Sequence, residues 1–188
     1  MKKIFLLSII LISQIVLAQK PNYNKYQNNI YSFELPNVWA VPVQKVIKEY
    51  TEKEKGIAKD NQMNYNSFDF LFSNKHNDTL YFPIIKVTTL RTDKNLFLEM
   101  KKQFGSDYIE KEIVVSDESL TFEGRPLVDT KNQKISISMN SEEIFGHTMM
   151  FFSNNSIVQF TYTDNKSNKC IECLLLYYNS VNETFKFK

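Results

Sequence analysis

The 188-residue sequence predicts an α+β fold built on a mainly antiparallel sheet. Three observations carry that reading. Apolar residues alternate with polar ones at period two through most of the chain, as in strands with one buried face. Three shorter segments instead show apolar residues at helical spacing. Composition is that of an ordinary globular protein, with 43% apolar and 23% charged residues, four Gly and two Cys.

The first eighteen residues read as a signal peptide. Lys2 and Lys3 precede an apolar run from Ile4 to Ala18, broken only by Ser8, Ser13 and Gln14. That run is shorter than the roughly 20 residues needed to cross a bilayer. Val16-Leu17-Ala18 before Gln19-Lys20-Pro21 places cleavage after Ala18. No Cys stands near that point, so no lipoprotein anchor is expected, and the mature chain is placed in the periplasm or outside the cell. Lys outnumbers Arg by 21 to 2, Asn occurs 19 times and Ala three times, a bias that resembles an AT-rich, bacterial genome. Residues 19–29 lack periodicity and read as a flexible lead-in. With no internal repeat or linker-like stretch, residues 30–188 are expected to form a single domain.

Within it, Tyr31, Phe33 and Leu35 alternate with Ser32 and Glu34 until Pro36 stops the strand. Phe68, Phe70 and Phe72 share a face of the next strand, and Ile85, Val87 and Thr89 a face of another. Ile109, Ile113 and Val115 alternate with Glu110 and Glu112, and Ile135, Ile137 and Met139 with Lys134, Ser136 and Ser138. Strands 144–152 and 156–163 flank Asn154-Asn155, a pair that tolerates the positive φ of a tight hairpin. In the first helix, 43–58, Val43, Val46, Ile47 and Tyr50 form the inward stripe, and Lys48/Glu52 and Glu49/Lys53 lie four apart on the wet side. In 93–104, Asp93 caps, Phe97, Met100 and Phe104 face inward and Gly105 terminates. In 169–182 the stripe is Cys170, Cys173, Leu174, Tyr177 and Val181. Such stripes are ordinarily core.

In this order the segments resemble the PsbP-like proteins, a family that includes the extrinsic photosystem subunit and the bacterial DcrB-type exported proteins. Tyr31-Ser32-Phe33-Glu34-Leu35-Pro36-Asn37-Val38-Trp39 is similar to their opening strand, and Pro83-Ile84-Ile85-Lys86-Val87 with the helix from Asp93 to their next strand–helix step. Gly124-Arg125-Pro126 stands where they turn. Ser156–Tyr162 and Tyr178–Phe187 resemble their last long strand and terminal helix. The resemblance covers most of 30–188, apart from the charged stretch Lys45–Asp60. It implies an α/β/α sandwich with a central antiparallel sheet and a binding or assembly-helper role. It carries no catalytic set.

The sharpest local feature is Cys170-Ile171-Glu172-Cys173 at the start of a helix, where the dipole and free N–H groups stabilise a thiolate. Three readings stand: packed thiols or a short structural disulfide, an incidental pair, and a thiol–disulfide exchanger. The two His, His76 in a polar loop and His147 alternating with Phe145, Met149 and Phe151, lack the spacing of zinc ligands. No G-x-S-x-G elbow, H-E-x-x-H or phosphate-cradling Gly loop occurs. Asp164-Asn165-Lys166-Ser167-Asn168 has Lys at a ligand position of a calcium loop and no Gly, so it is set aside. Glu142-Glu143 and Glu110/Glu112 read as solvent-facing carboxylates. Tyr23, Tyr26, Tyr65, Tyr81 and Tyr178 are candidates either for a groove or for the core edge.

The expectation is therefore an exported, non-enzymatic binding or accessory domain with no cofactor and no metal. The partner is an unknown protein or small ligand, and no membrane segment remains after signal cleavage. The alternatives are a periplasmic thiol–disulfide protein acting through Cys170 and Cys173, and a carrier of a small apolar ligand. Nucleic acid is not an expected partner: removing Lys2 and Lys3 from the net +2 leaves 21 basic and 21 acidic residues.

Overall fold

A computed structural model describes residues 22–74, 82–92, 96–103, 127–129, 131–140, 143–167 and 169–188. In chain order the elements are β1 (Tyr23–Gln27), β2 (Tyr31–Pro36), β3 (Trp39–Ala40), α1 (Gln44–Asp60), β4 (Phe70–Asn74), β5 (Ile84–Arg91), α2 (Phe97–Gln103), β6 (Leu127–Asp129), β7 (Lys134–Asn140), β8 (Ile144–Phe152), β9 (Ser156–Asn165), α3 (Ile171–Thr184) and β10 (Lys186–Phe187). The α+β class is as expected, with antiparallel pairing throughout. The signal segment 1–18, His76, Tyr81, Asp93, Phe104 to Pro126 (Gly105, Ile109, Glu110, Glu112, Ile113, Val115 and the turn Gly124-Arg125-Pro126 included) and Glu142 lie outside the described residues.

Among the described residues, seven strands form one sheet in the order β3-β4-β5-β9-β8-β7-β6, and β1-β2-β10 form a second. The centre of the large sheet is the β8–β9 hairpin with β5 beside it, in the register Met149↔Phe160 and Val87↔Phe160. Alternation then puts Phe72, Ile85, Val87, Phe145, Met149, Phe151, Val158, Phe160 and Tyr162 in one cluster. β2 delivers Tyr31, Phe33 and Leu35 to it, and α3 delivers Cys173, Leu174, Tyr177 and Val181. The Phe33 ring meets Phe160 edge-on at 4.9 Å, and the Tyr177 hydroxyl donates to the Phe160 carbonyl at 3.0 Å. Edge-on aromatic pairs gain quadrupole attraction beyond the area they bury.

Residues of the opposite parity meet different elements. Lys86, between Ile85 and Val87, pairs with Glu54 of α1 at 2.6 Å. Ile135, Met150, Phe152 and Ile157 cluster with Phe97 of α2.

Several expectations need correcting. The lead-in 19–29 is a paired strand over Tyr23–Gln27, with Tyr26 opposite Phe33. Its burial pattern shows only Tyr26 partly covered, so there was no alternation to read. Asn28 closes the turn into β2, its Oδ1 accepting from the N–H groups of Ile30 and Tyr31 at 2.8 and 3.0 Å. Phe68 precedes β4 and meets Tyr50 of α1 instead of joining Phe70 and Phe72. Val43 caps α1 and is 44% exposed, leaving Val46 as the buried residue of that stripe.

Asn154 and Asn155 turn without positive φ, which among described non-glycine residues falls at Gln62 and Gln133. The hairpin is closed instead by Ser153, whose N–H donates to the Ser156 carbonyl and whose Oγ accepts from the Ser156 N–H. β9 runs to Asn165, two residues beyond the expected strand 156–163. Lys134 and Ser136, placed opposite the apolar row of β7, are themselves buried.

Candidate functional site

The end of β9 and the start of α3 converge on the C-x-x-C pair. Asp164 is 2% exposed and accepts three hydrogen bonds: from the Tyr162 hydroxyl at 2.9 Å, the Cys170 N–H at 2.7 Å and the Asn165 N–H at 2.8 Å. A carboxylate survives such burial because charge-assisted hydrogen bonds replace its water. It thereby fastens the strand end to the residue that caps the helix. Burial first, and then the Asp164 charge, push the Tyr162 phenol far above its usual range. Tyr162 therefore acts as a neutral donor, and it also donates to the Cys170 carbonyl at 3.2 Å.

Cys170 and Cys173 form a disulfide, with Cα atoms 5.2 Å apart. Of the readings left open for this pair, packed free thiols do not apply, and the bond fits both a short structural disulfide and the oxidised form of an exchanger. Cys170 is the N-cap of α3, its Sγ accepting the Cys173 N–H at 3.2 Å. Helix N-termini leave N–H groups without intrahelical partners, and sulfur satisfies one of them here. Cys173 is 8% exposed and packs in the core cluster, whereas Cys170 is partly buried at its edge. From β4, Asn74 donates its Nδ2 to the Cys173 Sγ at 3.3 Å. Lys169 lies over the Phe145 ring at 5.4 Å, and Trp39 meets Tyr162 edge-on at 6.2 Å. The disulfide thus stands against β4, β9 and α3 together.

His147 lines the apolar face, as its alternation predicts. It is fully buried, with ring contacts to Tyr177 at 6.1 Å and Tyr178 at 5.6 Å. Burial, reinforced by nearby Lys134, lowers its pKa to about 3, so the ring is neutral at physiological pH. Among the described residues no three His, Cys, Asp or Glu side chains gather as a metal site would require. Glu143 is exposed, as its solvent-facing reading requires. Asn165, in the segment compared with a calcium loop, accepts from the N–H and Oγ of Ser167.

The candidate tyrosines are dispersed. Tyr23 and Tyr26 lie on β1, Tyr65 follows α1 with Lys55 over its ring, and Tyr178 lies on α3. Among the described residues no ring contact joins one of them to another, and Tyr26 packs on Phe33, Phe70 and Phe72.

Two features were missed in the sequence. Asp164, set aside with the segment compared with a calcium loop, is the buried anchor of the disulfide region. Its sequence signal is the spacing Tyr162-x-Asp164, which places both side chains on one strand face. Asp69 likewise accepts from the hydroxyls of Tyr31, at 2.8 Å, and Thr89. Compared with protein families and with curated proteins, the chain matches no family model and no curated protein. Among the described residues no helix is long and apolar enough to cross a membrane.

Proposed function

We propose that the chain is an exported, non-enzymatic binding or accessory domain. Its fold reading is the finer one, an α/β/α sandwich of PsbP-like kind with residues 30–188 as the working unit. One observation supports this above the others: Cys170 and Cys173 are spent on a disulfide whose second sulfur is buried and hydrogen-bonded by Asn74. A disulfide belongs to an oxidising compartment, in keeping with the address read in residues 1–18. The enclosed Cys173 sulfur is closed to attack, which favours a staple and leaves Cys170 as the one sulfur through which exchange could run. The polar groups around it, Asp164, Tyr162 and Asn74, are likewise engaged with the protein's own backbone and side chains.

The thiol–disulfide alternative draws on one feature, the partly buried Cys170 at the helix N-cap. A single preparation separates the two readings. The protein is purified from the expressing cell without reductant, and its intact mass, alkylation and native mass spectrum are recorded. The accessory reading expects a chain starting at Gln19, no alkylation before unfolding, no oxidation of a reduced dithiol peptide, and a co-purified protein or ligand. Rapid exchange with that peptide, lost in Cys170→Ser, would replace it with the exchanger reading. A chain retaining residues 1–18 would remove the export part.

A further inference from the structure

Alternate residues of a strand share a face, so β7 lines up Lys134, Ser136 and Ser138 on one side of the sheet. Ser138 stands opposite His147 in register, and His147 touches Tyr177 and Tyr178, so that side is the one α3 covers. Lys134 is 5% exposed. Its Nζ donates to the Oδ1 of Asn182 on α3 and lies 5.4 Å from the centre of the Tyr178 ring. An ammonium has three N–H groups, and both of these partners are uncharged.

The natural counter-ion, Asp129, acts on Lys134 through space but makes no direct contact with it. Asp129 of β6 is the register partner of Lys134. Its carboxylate instead accepts from the N–H groups of Lys131 and Asn132 at 3.0 Å each, and from the Asn132 Nδ2 at 2.7 Å. Among the described residues no carboxylate lies within 4.0 Å of the Lys134 Nζ. Two further groups beside it on β7 are also unsatisfied: the buried Oγ atoms of Ser136 and Ser138 have no hydrogen-bond partner among the described residues. Burying an ammonium or a hydroxyl without a partner is costly, so this row lacks a contacting anion for Lys134 and an acceptor for the serines. The last turn of α3 carries no basic residue, and its partial negative charge favours the ammonium there. That attraction positions Lys134 but offers the serines nothing.

We infer that Lys134, Ser136 and Ser138 bind one small oxyanion, a carboxylate or phosphate group, beneath Tyr178 and Asn182. The ammonium supplies charge and a directed N–H, and the hydroxyls donate to the same oxygen set, a combination suited to charge-assisted hydrogen bonds. Asn182 is exposed and Tyr178 half-buried, so the approach runs past the C-terminal end of α3. The site is independent of the export reading, and its failure would leave that reading standing.

The test is amide NMR on the disulfide-intact protein, titrated separately with inorganic phosphate and with acetate at constant ionic strength. Saturable shifts are expected at residues 134–138 and 178–182, with phosphate alone marking a phosphoryl ligand and acetate alone a carboxylate. Lys134→Met, which keeps the stem and removes the charge, is expected to weaken binding at least about tenfold. Should that variant not fold, Ser136→Ala/Ser138→Ala, which keeps the charge, carries the same expectation of weakened binding. Absence of saturable shifts with both anions would overturn the site, as would unchanged affinity in the folded variants.

Discussion

α1 and α3 are both amphipathic helices attached to the same sheet, yet they are held by different means. α3 spans 14 residues and buries Cys173, Leu174, Tyr177, Ser180 and Val181. α1 spans 17 and buries Val46 alone. The ends of α3 are fastened as well: Cys170 caps the first turn, and Thr184 accepts the Glu34 N–H at 2.9 Å. α1 has no side-chain cap, and its tie to the sheet is the half-buried Lys86–Glu54 pair together with Tyr50 against Phe68. Stability follows buried apolar area much more than helix length, since isolated helices are marginal in water and surface ion pairs contribute little. α3 and its aromatic bed are therefore expected to form the stable part, and α1 the part that opens at lower cost.

The sharpest way to break this contrast is to cut the bed itself. Phe33 is fully buried among Tyr26, Phe70, Phe72 and Phe160. Phe33→Ala is expected to cost about 3–5 kcal/mol, read from urea unfolding. A loss under about 1 kcal/mol would show that the bed does not dominate.

A second lever is pH. His147 is neutral in the fold, with its pKa near 3, whereas the unfolded ring titrates at its ordinary value of 6.5. The unfolded state therefore takes up a proton first, and stability falls as pH drops below 6.5 towards 3. Between pH 7 and pH 5 the loss from this group is about 2 kcal/mol. His147→Phe should flatten that interval relative to the wild type. Parallel stability–pH curves for the two proteins would remove His147 as the cause.

The disulfide gives a similar effect at the other end of α3. Its sequence separation is 3, and closing so short a loop constrains the unfolded chain by about 2 kcal/mol. Cys170→Ser/Cys173→Ser should lower the urea midpoint accordingly and raise amide exchange in the first turn of α3. Exchange rising in α1 instead would reverse the assignment of what the staple holds. The smallest effects belong to α1: Val46→Ala should cost about 1–2 kcal/mol. Ile57→Ser, at a position 47% exposed, should change stability by less than about 0.5 kcal/mol.

The failures of sequence reading are informative at particular residues. The run Lys134 to Met139 was divided into a wet row and an apolar row. Period-two alternation separates two faces but cannot say whether one of them meets water, and here both are covered. Tyr23–Gln27 gave the opposite error: an edge strand with one partly covered side chain leaves no pattern, yet backbone pairing with β2 forms it. The Cys170–Cys173 motif was legible as a feature at a helix N-terminus. Its bonded state and the buried Asp164 beside it depend on residues that β4, β9 and α3 bring together.

Sequence alone was enough for the α+β class, strands β2, β4, β5, β7, β8 and β9, the three helices and the place of the C-x-x-C pair. These are local properties, set by side-chain period and by caps within a few residues. The folded chain was needed to show that β1, β3, β6 and β10 pair, that α1 is thinly packed, and that Asp164 anchors the disulfide. The same holds for Lys134, buried with its register partner Asp129 out of ion-pair contact. Burial, register and hydrogen-bond partners are relations between segments far apart in the chain, and no local pattern encodes which segment will cover which face.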